Sequence, residues 1–303
     1  MPFGPGSGAC YDWPPMRLTS EAPASFRSTA VRPGPVGLVR EGWRDVLSRR
    51  RLVGYLVRAD LKKTGADTLL GNIWWVVDPL LQMIVYVVLV SVIFQRTQPD
   101  YPLFIFCAIL PWKWFSSAIN EGIGSVVGSE RLIKQIAFPK IVLPISHVLA
   151  GIAHFGFGLI PLAFLLFLVY PARISPWLLA IPAVAAVQLL FTLPLAILLA
   201  ASNVFFRDIV NLSRHVLRLW FYLSPGIYGV DLILRLSEDY PVVGTIMLLN
   251  PFAILFTAYR NLIYDGRPPD WMALAALALL SMIMLAGSVW VFKRLEPSFA
   301  KVL

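Results

Sequence analysis

Charged side chains are scarce in this chain: Asp, Glu, Lys and Arg supply 14% of its 303 residues, where a soluble domain carries roughly 25%. So few cannot cover the surface of a water-soluble fold this long, which excludes a soluble enzyme or binding module. Cysteine is nearly absent. Cys10 and Cys107 offer neither a disulfide framework nor metal-ligand spacing, so no metal site is expected. The chain has no Gly-x-x-x-x-Gly-Lys-Ser/Thr phosphate loop and does not bind ATP in that way by itself. Gly-x-Ser-x-Gly, His-Glu-x-x-His and an Asp-rich phosphate–metal cluster are missing too, so no catalytic residues are assigned. The opening stretch MPFGPGSGACYDWPP has no apolar core of a signal peptide, and none is expected to be cleaved.

What is abundant is apolar: 58% of the residues are hydrophobic, and mean hydropathy is +0.71. These residues come in blocks that reach the roughly 20 needed to cross a hydrocarbon core. The pattern predicts an all-α polytopic membrane protein with six transmembrane helices per protomer, at about 73–94, 102–126, 141–170, 177–206, 216–234 and 271–292. Ser224-Pro225-Gly226 interrupts the fifth, and a broken span tends to line a protein-filled or wet interior. Between spans five and six, the apolar stretch from Tyr240 to Tyr264 is split at Asn250-Pro251. Neither half is long enough to span, so paired re-entrant half-helices at the outer face are expected.

Two further segments are amphipathic. Residues 1–37 are rich in Pro, Gly, Ser and Ala and read as a disordered cytoplasmic tail; the membrane domain is 38–303. Within it, Val39, Trp43, Val46, Val53, Val57 and Leu61 keep helical spacing among Arg44, Arg49, Arg50, Arg51, Arg58, Lys62 and Lys63. That predicts a basic interface helix over 38–63; a solvated helix packed on a partner has the same pattern. The second segment lies between spans two and three. Leu132, Ile133, Ile136 and Ala137 form one face, with Glu130, Arg131, Lys134 and Gln135 on the other. Too short to span, this helix is expected at the membrane surface with its polar face in water.

The net charge of +9 needs no nucleic acid to explain it. Twenty of the 26 Lys and Arg fall on segments 1–72, 127–140, 207–218 and 293–303, and five on the alternate segments. The excess of positive charge marks the cytoplasmic side, so both termini are expected there. Charged groups inside spans are functional suspects because leaving them unpaired is costly. Asp78 and Glu121 fit a cation or proton site, or caps close to water. Lys113, between Trp112 and Trp114, fits an anionic contact or a snorkelling lysine. His147 and His154 share a helix face, but no carboxylate or cysteine in the sequence pattern joins them. The aromatics Trp112, Trp114, Phe115, Phe221, Tyr222 and Tyr228 suit sugar rings, or membrane packing. Gly124 and Gly128 form a small-xxx-small pattern that lets helices approach.

Four stretches resemble one known family, over about 38–300. Residues 69–79 (LLGNIWWVVDP) are similar to a Leu-Gly loop leading into the first span, and 132–140 (LIKQIAFPK) to a cytoplasmic coupling helix. Residues 206–209 (FRDI) and Asn250-Pro251 match a segment before span five and paired outer gate helices. The chain thus resembles the permease subunit of ABC-2 transporters that export O-antigen, capsule or teichoic acid polymers. The resemblance implies a homodimer in a bacterial cytoplasmic (inner) membrane, with two copies of a separate nucleotide-binding subunit. ATP and Mg would act there, and no cofactor is expected in this chain. It also implies a role for each group of residues. Glu130, Arg131, Leu132, Ile133, Lys134 and Gln135 would couple to the ATPase. Leu70, Gly71, Arg58, Lys62 and Lys63 would meet the diphosphate of a lipid-linked glycan. The aromatics would wall its path, and Asn250 and Pro251 would form the outer gate. An ABC-2 exporter of drugs or small lipids is the alternative, and a membrane enzyme acting on lipid-linked sugars a more distant one.

Overall fold

Lipid offers the backbone no hydrogen-bond partners, so long apolar runs satisfy their own amides as helices. The computed structural model describes residues 34–64, 71–93, 95 and 98–303. The expected tail up to residue 33, with Cys10, and the residues Leu70 and Arg96 lie outside the described residues. Pro35–Leu303 make one unit, with no strand among the described residues.

The chain opens with α1 (Pro35–Ser48) and α2 (Arg50–Thr64). Helix α3 (Trp74–Val87) runs on through a π turn, Val88–Ile93. Helices α4 (Tyr101–Gly128) and α5 (Glu130–Gln135) follow, then α6 (Val142–Phe164) with its own π turn, Leu165–Val169. Next come α7 (Ile181–Phe205), α8 (Ile209–Leu223), α9 (Val230–Asp239) and α10 (Pro241–Leu248). The chain closes with α11 (Pro251–Ile263) and α12 (Trp271–Val302).

Among the described residues, five helical stretches are long and apolar enough to cross a membrane: Trp74–Ile93, Tyr101–Gly128, Val142–Val169, Pro176–Phe205 and Trp271–Val302. They overlie expected spans one to four and six. The expected fifth span, 216–234, is not a continuous helix. Helix α8 ends at Leu223, because Ser224 is extended and Pro225 supplies no backbone donor. A helix of 15 residues reaches only about 22 Å. The bent pair α10 and α11, meeting at 64°, is the sixth candidate if counted as one span.

The expected single helix over 38–63 is also two. It breaks at Arg49, so that α1 packs on α12 and α2 on α6. Pro35 begins α1, so 35–37 belong to the helix rather than the tail; proline suits a first turn that needs no amide donor.

Helix α4 is the axis of the bundle and its most buried span, with α6 and α7 against it. Small residues set the spacing. A Cβ on Gly151 would lie 2.7 Å from Trp114 Cδ1, and one on Gly158 would overlap Leu110 Cδ1. Gly124 and Gly128, the sequence candidates for close approach, have nothing within 4 Å of such a Cβ. Polar side chains join α7 to α4: Gln188 donates to the Pro111 carbonyl at 2.8 Å, and Asn203 to the Ile123 carbonyl at 3.0 Å. With water absent, such bonds fix helix register.

Candidate functional site

At the α5 end of the bundle, the chain turns at Ser129 into a helix of six residues. Ile133 is its anchor, buried in a core with Val126, Ile141 and Phe299. Arg131, Lys134 and Gln135 are exposed, and Leu132 is half-buried. Ile136 and Ala137, expected on the apolar face, are exposed instead, because the backbone turns extended at Ile136 and leaves the helix. Lys134 Nζ sits 2.6 Å from Glu130 Oε1 and donates to the Leu303 carbonyl at 2.8 Å. That ammonium holds the Glu130 carboxyl below the usual range.

The segment leaving α5 is tied to a buried ionic knot. The Lys140 amide donates to Glu296 Oε1 at 2.6 Å. Lys293, its side chain 7% exposed, lies 2.8 Å from Glu296 Oε2, 2.7 Å from Asp45 Oδ2 and 3.6 Å from Glu41 Oε1. Helix α1, helix α12 and, through Glu296, the segment after α5 therefore meet around one ammonium. Arg58, Lys62 and Lys63 are exposed along α2, while Gly71 opens a short turn at φ +50° before α3. The exposed basic groups thus stand on the side of α2 that does not pack on α6.

Between α3, α4 and α6 lies a cleft of about 420 Å³. It gathers four of the five ionisable residues that the sequence places inside spans: Asp78, Lys113, Glu121 and His154. Lys113 donates to Asp78, so this pair neutralises itself. Trp74, Trp75 and Trp114 wall the cleft, and Trp75 lies 4.3 Å from the His154 ring and 4.9 Å from Phe157. The fifth residue, His147, sits with Asp60 and Glu121, their ligand atoms all within 4.8 Å of one another. A carboxylate does join a histidine here, contrary to the sequence expectation. In the sequence Asp60 is a lone acid between Arg58 and Lys62, with no pattern to mark it.

The expected aromatic wall divides. Trp112, Phe115 and Phe221 are 6%, 0% and 3% exposed and pack with Phe252, Phe256 and Trp220. All three belong to the hydrophobic core of the bundle. Trp114 lines the cleft, and Tyr222 is exposed, its carbonyl accepting from the Tyr228 hydroxyl at 3.0 Å.

At the opposite end, Asn250 stands at the bend between α10 and α11. Its Oδ1 accepts from the Phe252 amide at 3.0 Å and Trp220 Nε1 at 2.9 Å, and its Nδ2 donates to Ser224 Oγ at 2.8 Å. Pro251 follows at the first helical position. In the sequence Arg260 is one of the five positive charges on the alternate segments. It is 5% exposed and donates to the Pro225, Gly226 and Tyr228 carbonyls, its guanidinium 3.7 Å from the centre of the Phe104 ring. A charge within an apolar run was the available signal. Asn250 and Arg260 together tie the broken segment 224–229 to α11 and its start.

This fold is that of a multi-pass α-helical membrane protein: a helical bundle with a short charged helix between two spans, a cleft between α3, α4 and α6, and a pinned bend between α10 and α11. The chain is 33% identical over 258 residues to the O-antigen export system permease protein RfbA of Myxococcus xanthus, covering 85% of this chain and 97% of that protein. Two O-antigen export system permease proteins RfbA of Klebsiella pneumoniae are each 28% identical over 253 residues, 83% of this chain and 95% of theirs. No family model matches. The chain belongs to the family of ABC-2 type O-antigen export permeases.

Proposed function

We propose that the chain is the membrane half of an ATP-driven exporter that carries a lipid-linked, O-antigen-type polysaccharide out across the bacterial inner membrane. Two copies form the path, two copies of a separate ATP-binding subunit supply the force, and both termini are cytoplasmic. The observation that carries this reading is α5, a charged surface helix between two spans whose single buried residue, Ile133, is set in the core. A push from a water-soluble partner on Arg131, Lys134 and Gln135 would reach α4 and α6 through Ile133. It would reach α12 and α1 through Lys140, Glu296 and Lys293. The exposed Arg58, Lys62 and Lys63 suit the diphosphate of the carrier lipid, and the tryptophans of the cleft suit a sugar ring. The outer pair α10 and α11 would form the gate, opening at Asn250.

Affinity capture of the tagged full chain from membranes tests the partnership. An ATP-binding subunit of the ABC type should co-purify in equal amount, and substitution of Arg131 and Lys134 by Ala should release it. Capture of the chain with no ATPase under conditions that retain lipid would oppose the reading.

A further inference from the structure

From the one-sided charge of α1 and α2, we infer that the outer face of α1, continued by the first turns of α2, binds anionic phospholipid headgroups. All eight Lys and Arg from Arg40 to Lys63 are exposed, whereas the three acids of the same stretch are drawn toward the bundle. Glu41 and Asp45 face Lys293 on α12, and Asp60 lies 3.3 Å from His147 on α6. No ion pair among the described residues takes up any of the eight cations. In sequence the two signs alternate at Arg40-Glu41 and Arg44-Asp45; in the fold they separate, and the outer face keeps the positive one.

The same face carries apolar side chains. Val36, Trp43 and Leu47 share helical spacing with Arg40 and are 82%, 44% and 68% exposed. On α2, Tyr55 is exposed one turn after Arg51. The opposite side of α1 is fixed to α12, where a Cβ on Gly42 would lie 2.6 Å from Val289 Cγ1. That contact sets the depth. Helix α12 is apolar through Phe292 and becomes charged at Lys293 and Arg294, so α1 lies where this span leaves the hydrocarbon. At that level Trp and Leu reach the acyl boundary, and guanidinium groups meet phosphates with paired donors. A protein partner would need both an apolar patch and carboxylates in register with this face; an anionic leaflet supplies both chemistries in one layer. Arg40, Arg44, Arg50 and Arg51 form this face apart from Arg58, Lys62 and Lys63 further along α2. The inference is independent of the transported substrate.

The test uses the full chain in nanodiscs of equal parts phosphatidylcholine and phosphatidylglycerol, with retained lipid counted by native mass spectrometry. Phosphatidylglycerol should be retained in preference, and high salt should weaken the preference. A basic group near an anionic surface is worth roughly fivefold in binding, so Arg40→Gln/Arg44→Gln should lower the preference at least about fivefold. Arg40→Lys/Arg44→Lys keeps the charge and should retain most of it. Arg235→Gln/Arg267→Gln removes the same charge elsewhere, Arg267 lying before the far end of α12, and should behave as the parent does. Circular dichroism checks that each variant is folded. A photo-cross-linker at position 47 should label phospholipid in membranes. Equal retention of the two lipids by the parent, or a parental preference in Arg40→Gln/Arg44→Gln, would overturn the assignment. So would an equal loss in Arg235→Gln/Arg267→Gln, or a cross-link from position 47 to a second copy or another protein in place of lipid.

Discussion

Lys293→Met removes the ammonium at the centre of the α1–α12 knot while keeping a side chain of similar length. Asp45 and Glu296 then face each other without a counter-charge, their side chains 21% and 10% exposed, with Glu41 at 35%. Breaking a fully buried ion pair from one side costs about 3–5 kcal/mol. Asp45 and Glu41 reach water and can relax, which reduces the expected loss to about 2–4 kcal/mol. At roughly 2 °C per kcal/mol for a chain of this size, the melting midpoint should fall by about 4–8 °C. The assay is tryptophan fluorescence on heating, in detergent, at fixed protein and lipid. Removing these three charges in Lys293→Met/Asp45→Asn/Glu296→Gln should recover at least half of the loss, because only the more exposed Glu41 then lacks its partner. A midpoint for Lys293→Met within about 1 °C of the parent would refute the argument.

Arg260→Leu leaves the Pro225, Gly226 and Tyr228 carbonyls without their donor and should cost about 3 kcal/mol. Cysteine labelling at position 226 should rise with it, and unchanged labelling would show that the segment is held otherwise. Gly151→Ala drives a methyl into the indole of Trp114 and should cost about 1–3 kcal/mol. Gly124→Ala, with open space around it, should be neutral or gain up to about 1 kcal/mol, and thermal melting separates the two. Glu130→Ala/Arg131→Ala/Lys134→Ala should lower export and partner capture together while membrane insertion and melting stay normal. Export at the parental level would remove the coupling role.

Much of the helix plan is legible in the sequence, because lipid allows apolar runs few alternatives. The surface helix at 130–135 is legible for the same reason: Gly128 and Pro139 bracket a stretch too charged and too short to span. The fifth span is misread since α8 and α9 have enough apolar residues for one helix. The break at Ser224 and Pro225 is visible, but not that Arg260 and Asn250 hold it open from 26 to 35 residues away. The cleft shows a similar limit. Each ionisable residue was visible alone as Asp78, Lys113, Glu121, His147 or His154, whereas their meeting depends on the packing of α2, α3, α4 and α6. Lys293 illustrates it most plainly: in sequence it is one more flanking positive charge, and its partners Asp45 and Glu41 lie some 250 residues earlier.

The direct test of the export reading is mass spectrometry of membrane lipids after depletion of this chain. Polyprenyl-diphosphate-linked polymer should build up on the inner face as surface polysaccharide falls. Lipid-linked polymer at the parental level, with surface polysaccharide unchanged, would contradict it.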